Sequence, residues 1–137
     1  MTTVTKRVKF DAAHILTNHE GLCKNLHGHT YMVDIAVRTS LSNPDDMVID
    51  FKDLKRIATE KIVDRFDHAF IYNTGSEGER EIAAVVEKHG MRTVALPFRS
   101  TAENLAQYFY GQMKGAVEGL HSVKVWETAD SAAEYQA

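Results

Sequence analysis

The sequence has few of the features that mark secreted, membrane-spanning or disordered proteins. It contains one cysteine in 137 residues, so no disulfide can form within the chain, and a cytoplasmic location is expected. Its apolar runs are too short to span a bilayer, and the first ten residues lack the apolar stretch of a signal peptide. With only two prolines and no low-complexity segment, nothing divides the chain. We therefore predict a single domain over residues 1–137.

The charge of the chain narrows the choice of partners. The formal net charge is −3, and no block of basic residues offsets it, which argues against a nucleic-acid partner. Apolar residues make up 44% of the chain and charged residues 26%, as in an ordinary globular protein. Neither a nucleic acid nor a membrane is expected as a partner.

Hydrophobic periodicity predicts an α+β domain in which helices cover one face of an antiparallel sheet. A helix is expected after Asp50, a good N-cap, and another after Ser100, which has capping-box spacing to Glu103. The tail from Ala129 is expected to fray. A short helix is predicted over residues 81–89, and strands over residues 3–13, 29–38, 47–49, 93–96 and 122–128.

Three histidines are placed so that their side chains can converge. His27 and His29 stand two residues apart at the start of a predicted strand, so they point to the same face, and Gly28 leaves room between them. His14 ends the preceding strand and has the parity of its apolar face. Three imidazoles with an open fourth position are typical of a catalytic zinc site. The alternative is that they are hydrogen-bonded histidines of the core or of turns.

Cys23 lies four residues before His27 in a predicted loop, and its spacing allows three interpretations. It could be a fourth zinc ligand, which would close a structural site for partner binding in a protein that is not an enzyme. It could remain free beside the metal, where a nearby cation lowers the pKa of a thiol and makes it a usable base. It could also be a small buried hydrophobic residue.

Two further groups stand out. Glu127 has the parity of the apolar face of the last predicted strand, where an unpaired carboxylate would be costly, so a partner or a ligand is expected there. A position at a fraying strand end would also explain it. Asp67 and His68 could form an acid–imidazole pair in which the carboxylate sets the tautomer, although Asp-His dipeptides are common.

Together these residues resemble the 6-pyruvoyl-tetrahydropterin synthase family, which includes bacterial 6-carboxytetrahydropterin synthases. The most specific feature is the compact Cys-x-x-x-His-Gly-His motif with an Ala-Ala-His upstream. Residues 72–98 are least covered by the resemblance and look longer than in the short bacterial members. The matching segments are residues 10–14, 23–29, 49–55, 66–68, 100–105 and 126–128.

The resemblance implies the tunnelling fold, a four-stranded antiparallel sheet with two main helices packed on one face. Three subunits would join their sheets into a barrel, and two trimers would stack into a homohexamer. It also implies roles for individual residues: Cys23 as the proton-abstracting base, Asp67 and His68 as a second acid/base pair, and Glu127 as the anchor of the pterin ring. Thr101 and Glu103 are expected among the substrate-binding residues, and Zn²⁺ as the cofactor is expected on His14, His27 and His29.

The substrate class implied by the resemblance is 7,8-dihydroneopterin triphosphate. We expect the branch that forms 6-carboxy-5,6,7,8-tetrahydropterin with release of acetaldehyde and triphosphate, in queuosine biosynthesis. Some relatives carry a glutamate near His-Gly-His and favour aldolase-like cleavage, but here Lys24, Asn25 and Leu26 fill that gap. The nearest alternative is the pyruvoyl-forming synthase, which eliminates triphosphate without cutting the carbon chain.

Overall fold

The fold is built on one mixed sheet of six strands. The computed structural model describes all residues 1–137, and the strands stand in the order β4-β3-β1-β2-β5-β6. Strands β1, β2, β5 and β6 form an antiparallel unit, whereas β3 runs parallel to β1 and β4 parallel to β3. The strands are β1 (Thr2–His14), β2 (His27–Thr39), β3 (Ala69–Asn73), β4 (Thr93–Leu96), β5 (Leu120–Thr128) and β6 (Ser131–Tyr135).

Three helical segments connect these strands. The first begins as α1 (Phe51–Ala58), passes through a π-helical stretch (Thr59–Val63) and ends as α2 (Asp64–Phe66). The others are α3 (Glu77–Lys88) and α4 (Ala102–Lys114). None of these helices combines the length and the apolar character that a membrane crossing requires.

The main core lies between one face of the sheet and the helices α1, α2 and α4. Alternate residues of β1 and β2, such as Phe10 and Tyr31, point into it, as the period of two in a strand requires. Phe66 and Phe109 pack on Phe10 with ring centroids 5.7 and 5.9 Å away. The histidines at the ends of β1 and β2 therefore stand at the edge of a close-packed core, which limits their motion.

Helix α3 lies on the opposite face of the sheet. Its Ala83 is buried with Phe70 of β3 and with Ile15, which follows β1. Beyond α3 this second face is charged: the Arg7 guanidinium donates to both carboxylate oxygens of Asp34, at 2.7 and 3.0 Å. The prediction that helices cover only one face is therefore wrong, because α3 packs against apolar residues of β3 that point away from the main core.

The predicted sheet also differs from the observed one. It has six strands instead of four, it is mixed instead of antiparallel, and three helical segments accompany it instead of two main helices. The tail after Ala129 does not fray but pairs with β5 as β6, through backbone hydrogen bonds that its small and polar side chains do not signal.

Two local expectations fail and one is confirmed. Residues 47–49 do not form a strand. Helix α4 is capped by Thr101, whose hydroxyl accepts from the Asn104 N–H at 3.2 Å, so Ser100 is not the cap. The Asp50 cap of α1 is confirmed, since its carboxylate accepts from the Lys52 N–H at 2.7 Å.

Candidate active site

Three histidines converge where β1 ends and β2 begins. The antiparallel register places His14 opposite His27 and Ala12 opposite His29, so the three imidazoles lie on the face of the sheet that carries the core. His14 is fully buried, and the other two are partly buried. One ring nitrogen of each lies within 4.8 Å of the others, which confirms the predicted convergence.

Backbone carbonyls set the tautomers of two of these histidines. Nδ1 of His14 lies 2.8 Å from the carbonyl oxygen of Ser100, and Nδ1 of His27 lies 2.6 Å from that of Asn25. A carbonyl oxygen only accepts, so each neutral ring carries its proton on Nδ1 and has a bare lone pair on Nε2. These two Nε2 atoms face each other at 3.0 Å.

Two lone pairs at this distance repel unless a cation lies between them. Nitrogen ligands about 2.0–2.1 Å from a tetrahedral zinc would stand about 3.3 Å apart, close to the observed separation. Nε2 of His29 is buried without a hydrogen-bond partner, as expected of a third ligand atom. The histidine cluster therefore fits a metal ion held by three imidazoles, with backbone carbonyls that orient the rings of His14 and His27 through Nδ1.

The electrostatic surroundings favour the neutral forms of His14 and His29. Burial lowers the pKa of His14 to about 4, and the neighbouring His27 and His29 act in the same direction, while the Ser100 carbonyl opposes them. Burial also lowers the pKa of His29, against the opposing charge of Glu127. At neutral pH both rings are uncharged, which is the form that binds a metal.

Glu127 lies beside the histidines, on the face predicted from its parity. One of its carboxylate oxygens is 3.5 Å from Nε2 of His14 and 3.7 Å from Nε2 of His29. Because both rings are neutral, these approaches are not ion pairs. The side chain of Glu127 is 25% exposed, so the carboxylate faces both the cluster and solvent.

Tyr31 forms the floor of the site and was missed as a site residue. Its ring centroid lies 5.4 Å from that of His29 and 5.9 Å from that of His14. The hydroxyl is buried without a partner, and burial together with the charge of Glu127 raises the pKa of the phenol. Tyr31 therefore presents a neutral donor beneath the cluster; the only sequence signal was its parity with the histidines.

Cys23 lies in the loop that joins the two histidine-bearing strands. It is a free, partly buried thiol in a 3₁₀ turn (Leu22–Lys24) and does not belong to the group of converging ligand atoms. Its carbonyl oxygen accepts from the Leu16 N–H at 2.9 Å, which closes the base of the loop.

Asp67 and His68 form the predicted pair, but on the other face of the sheet. Their side chains lie 3.0 Å apart, and Asp67 accepts from the backbone N–H of Asp11 at 3.0 Å. That hydrogen bond is the main cause of the lowered pKa of Asp67. His68 lines a cavity of about 610 Å³ with His29 and with Asp11 and Thr30, and the side chains of the last two point away from the histidine cluster. The pair and the three imidazoles therefore lie on opposite faces of the sheet, although His29 lines the same cavity as His68.

The two predicted substrate-binding residues lie at the first turn of α4. Thr101 is the N-cap, and Glu103 is an exposed acidic residue in the first turn. The residue of this segment that reaches the cluster is Ser100, through its carbonyl and its hydroxyl, which lies 3.2 Å from Nδ1 of His14. A backbone carbonyl has no sequence signature, so the sequence could not identify this contact.

Comparisons with known proteins agree with the fold and assign the family. Residues 3–137 match the family described as 6-pyruvoyl tetrahydropterin synthase, and the chain belongs to this family. The predicted family membership is thereby confirmed.

Two relatives of known name and one solved structure resemble this chain over most of its length. The chain is 41% identical to the 6-carboxy-5,6,7,8-tetrahydropterin synthase of Haemophilus influenzae, with 99% of each chain covered. It is 38% identical to the protein of that name from Aquifex aeolicus, over 83% of this chain and 75% of the relative. The solved Caenorhabditis elegans 6-pyruvoyl tetrahydropterin synthase has the same fold, with a TM-score of 0.73 at 24% identity over 99% and 95% of the two chains.

Proposed function

We propose that this protein is a zinc-dependent 6-carboxy-5,6,7,8-tetrahydropterin synthase. It converts 7,8-dihydroneopterin triphosphate to the carboxypterin and releases acetaldehyde and triphosphate, a step of queuosine biosynthesis in the cytoplasm. The observation that carries the proposal is the convergence of three imidazoles on one point beside a carboxylate. The carboxy branch is supported by the Haemophilus influenzae relative, which matches the chain over 99% of its length.

Each side chain of the site has one task in this proposal. His14, His27 and His29 hold the metal, which when bound makes the protons next to the side-chain hydroxyls of the substrate more acidic. The Cys23 thiolate removes one of these protons. The Glu127 carboxylate accepts hydrogen bonds from the donor edge of the pterin ring, and Thr101 and Glu103 contribute further substrate contacts.

The face occupied by Asp67 and His68 implies a site shared between subunits. Because the pair lies on the face of the sheet opposite the histidine cluster of its own chain, we infer that the pair serving a given cluster comes from another copy. The sheet has free edges for such an assembly. β3 pairs with β1 only along Ala12–His14, so the rest of that edge of β1 is unpaired, and the outer edge of β6 has no neighbour. Edge pairing between copies removes these exposed edges, in line with the proposed homohexamer.

The reaction is tested by incubating the zinc-loaded protein with dihydroneopterin triphosphate and assaying acetaldehyde. Acetaldehyde in a one-to-one ratio with triphosphate is expected. Triphosphate without acetaldehyde would instead assign the pyruvoyl-forming reaction, and the absence of both products would reject the pterin synthase proposal.

The shared site is tested by mixing two inactive variants, Cys23→Ala and His68→Ala, during refolding or co-expression. If the thiol and the imidazole of one site come from different chains, random mixing restores about a quarter of the sites. Cys23→Ala mixed with inactive His14→Ala serves as the control and should regain no activity if Cys23 and His14 of one site belong to the same chain. No recovery in the first mixture would place Cys23 and His68 in the same chain's site and refute the assignment.

A further inference from the structure

Glu79 is the one buried acidic residue of the chain, and the proposed reaction does not use it. It lies in the first turn of α3 and is 2% exposed. A buried carboxylate is costly unless hydrogen bonds replace the water it has lost. Glu79 belongs to the stretch 72–98, which the family resemblance covered least.

The hydrogen bonds of Glu79 join α3 to the first residues after β1. One carboxylate oxygen accepts from the Thr17 hydroxyl at 2.5 Å, and the other accepts from the Asn73 N–H at 3.1 Å. The hydroxyl oxygen of Ser76, the N-cap of α3, lies 3.2 Å from the same Thr17 hydroxyl oxygen. Both oxygens of the carboxylate are therefore engaged, and one of them fixes Thr17.

Thr17 belongs to the Cys23 loop, defined here as residues 15–26 between the histidine-bearing strands. Next to it, the Leu16 N–H donates to the Cys23 carbonyl at 2.9 Å. The Thr17 carbonyl accepts from the Arg99 guanidinium at 3.3 Å, and Arg99 directly precedes the residue that orients His14. The start of the loop is thus connected on one side to Glu79 and on the other to the metal centre.

Apolar packing contributes little to holding the outer part of this loop. Leu22 is 86% exposed and Leu26 is 55% exposed, so neither side chain anchors it in the core. The polar contacts of Thr17 and the adjacent Leu16–Cys23 backbone hydrogen bond therefore supply much of the restraint on the position of Cys23.

We propose that Glu79 is a positioning residue of the active site, which acts through Thr17 to fix the Cys23 loop between the two histidine-bearing strands. The proposal rests on the proposed function for the role of Cys23 as the base. It gives the α3 segment a part in catalysis: α3 approaches from the opposite face of the sheet and braces the loop that carries the thiol.

Cys23 is the sole cysteine, so its alkylation by iodoacetamide reports on the loop without any substrate. Glu79→Ala should raise the alkylation rate by about tenfold, the lower end for loss of a hydrogen bond to a charged group. In the product assay it should lower kcat with little change in KM. Thr17→Val, which keeps the volume of the side chain and removes the hydroxyl, should have the same two effects. In the double variant, the changes in alkylation rate and kcat should be little larger than in either single variant.

Two further variants separate positioning from general stability. Glu79→Gln should restore most of the native alkylation rate, because its amide can accept from the Asn73 N–H and donate to the Thr17 hydroxyl. Glu81→Ala, which removes an exposed glutamate of the same helix, should match the native protein.

The outcomes are separable. An unchanged alkylation rate in Thr17→Val, which is expected to fold even if Glu79→Ala does not, overturns the proposal, as does a lower Tm with unchanged alkylation and kcat. Suppose that Glu79→Ala and Thr17→Val both react faster with iodoacetamide, while the native protein forms no pterin product. This result would uphold the bracing of the loop and reject the proposed reaction.

Discussion

Replacing His14 by alanine tests the histidine cluster most directly. His14 is the fully buried member of the three, and its ring is held by the Ser100 carbonyl at 2.8 Å. Its Nε2 stands 3.0 Å from that of His27, and the substitution leaves two imidazoles where the proposal requires three.

The size of the effect follows from the number of ligands. Structural sites with four protein ligands bind zinc with an apparent ~10–16 kcal/mol, or roughly 2.5–4 kcal/mol for each ligand. Losing one ligand should therefore weaken zinc binding by about 10²–10³-fold. The loss of packing and of the hydrogen bond to Ser100 should also lower the free energy of unfolding of the metal-free protein by about 2–4 kcal/mol.

The measurement is a competition titration of the metal-free protein against a zinc indicator, with metal analysis after dialysis. His89→Ala is the matched control, since His89 is exposed at the end of α3, away from the cluster. Circular dichroism establishes that the variant is folded. A folded His14→Ala protein that binds one zinc per chain as tightly as the native protein would refute the ligand set.

Cys23→Ala should reduce turnover by about 10²–10⁴-fold, the range for one general base, with unchanged zinc content; loss of zinc would make Cys23 a ligand instead. Glu127→Gln should weaken pterin binding about ten- to a hundredfold, since hydrogen bonds to a charged group contribute roughly 1.5–3 kcal/mol; unchanged affinity in calorimetry would reject the anchoring role. Tyr31→Phe should leave the free energy of unfolding unchanged or raise it by about 1 kcal/mol, because the lost hydroxyl has no partner; a lower Tm would mean that the hydroxyl is paired in solution. The pKa of Asp67 is lowered in the folded protein, chiefly by the Asp11 N–H, so its contribution to stability is present above its unfolded pKa of about 3.9 and is lost as the pH falls through the folded value. Denaturant titrations should therefore show the native protein and Asp67→Asn converging in stability only at acid pH, and a constant difference down to about pH 2 would contradict this.

The sequence by itself determined the histidine cluster and the two strands that carry it. Side chains alternate along a strand, so the positions of His14, His27 and His29 relative to apolar neighbours were sufficient to predict a common face. The same reasoning placed Glu127 beside them. The cap at Asp50 was predictable because a capping hydrogen bond spans only two residues of local sequence.

Only the tertiary structure decided the features that depend on pairing between distant segments. The sequence predicted β4 as a strand over residues 93–96, but the parallel pairing of β3 and β4 and the pairing of the edge strand β6 with β5 join distant segments through backbone hydrogen bonds, which side-chain composition does not encode. That α3 covers the second face depends on Phe70 meeting Ala83, a contact that no periodicity reveals.

Within the site, too, the features that the sequence did not reveal depend on contacts between residues that are far apart in the chain. Asp67 and His68 were predictable as a pair because they are adjacent, but their position on the far face follows from two hydrogen bonds to the backbone of Asp11, which lies 56 residues before Asp67: the Asp67 carboxylate accepts from the Asp11 N–H, and the His68 N–H donates to the Asp11 carbonyl. The carbonyl of Ser100 that orients His14 and the Glu79–Thr17 contact likewise join residues far apart in sequence. The sequence determined which chemical groups are present and which strand face carries the histidines, whereas long-range contacts decided which of those groups meet.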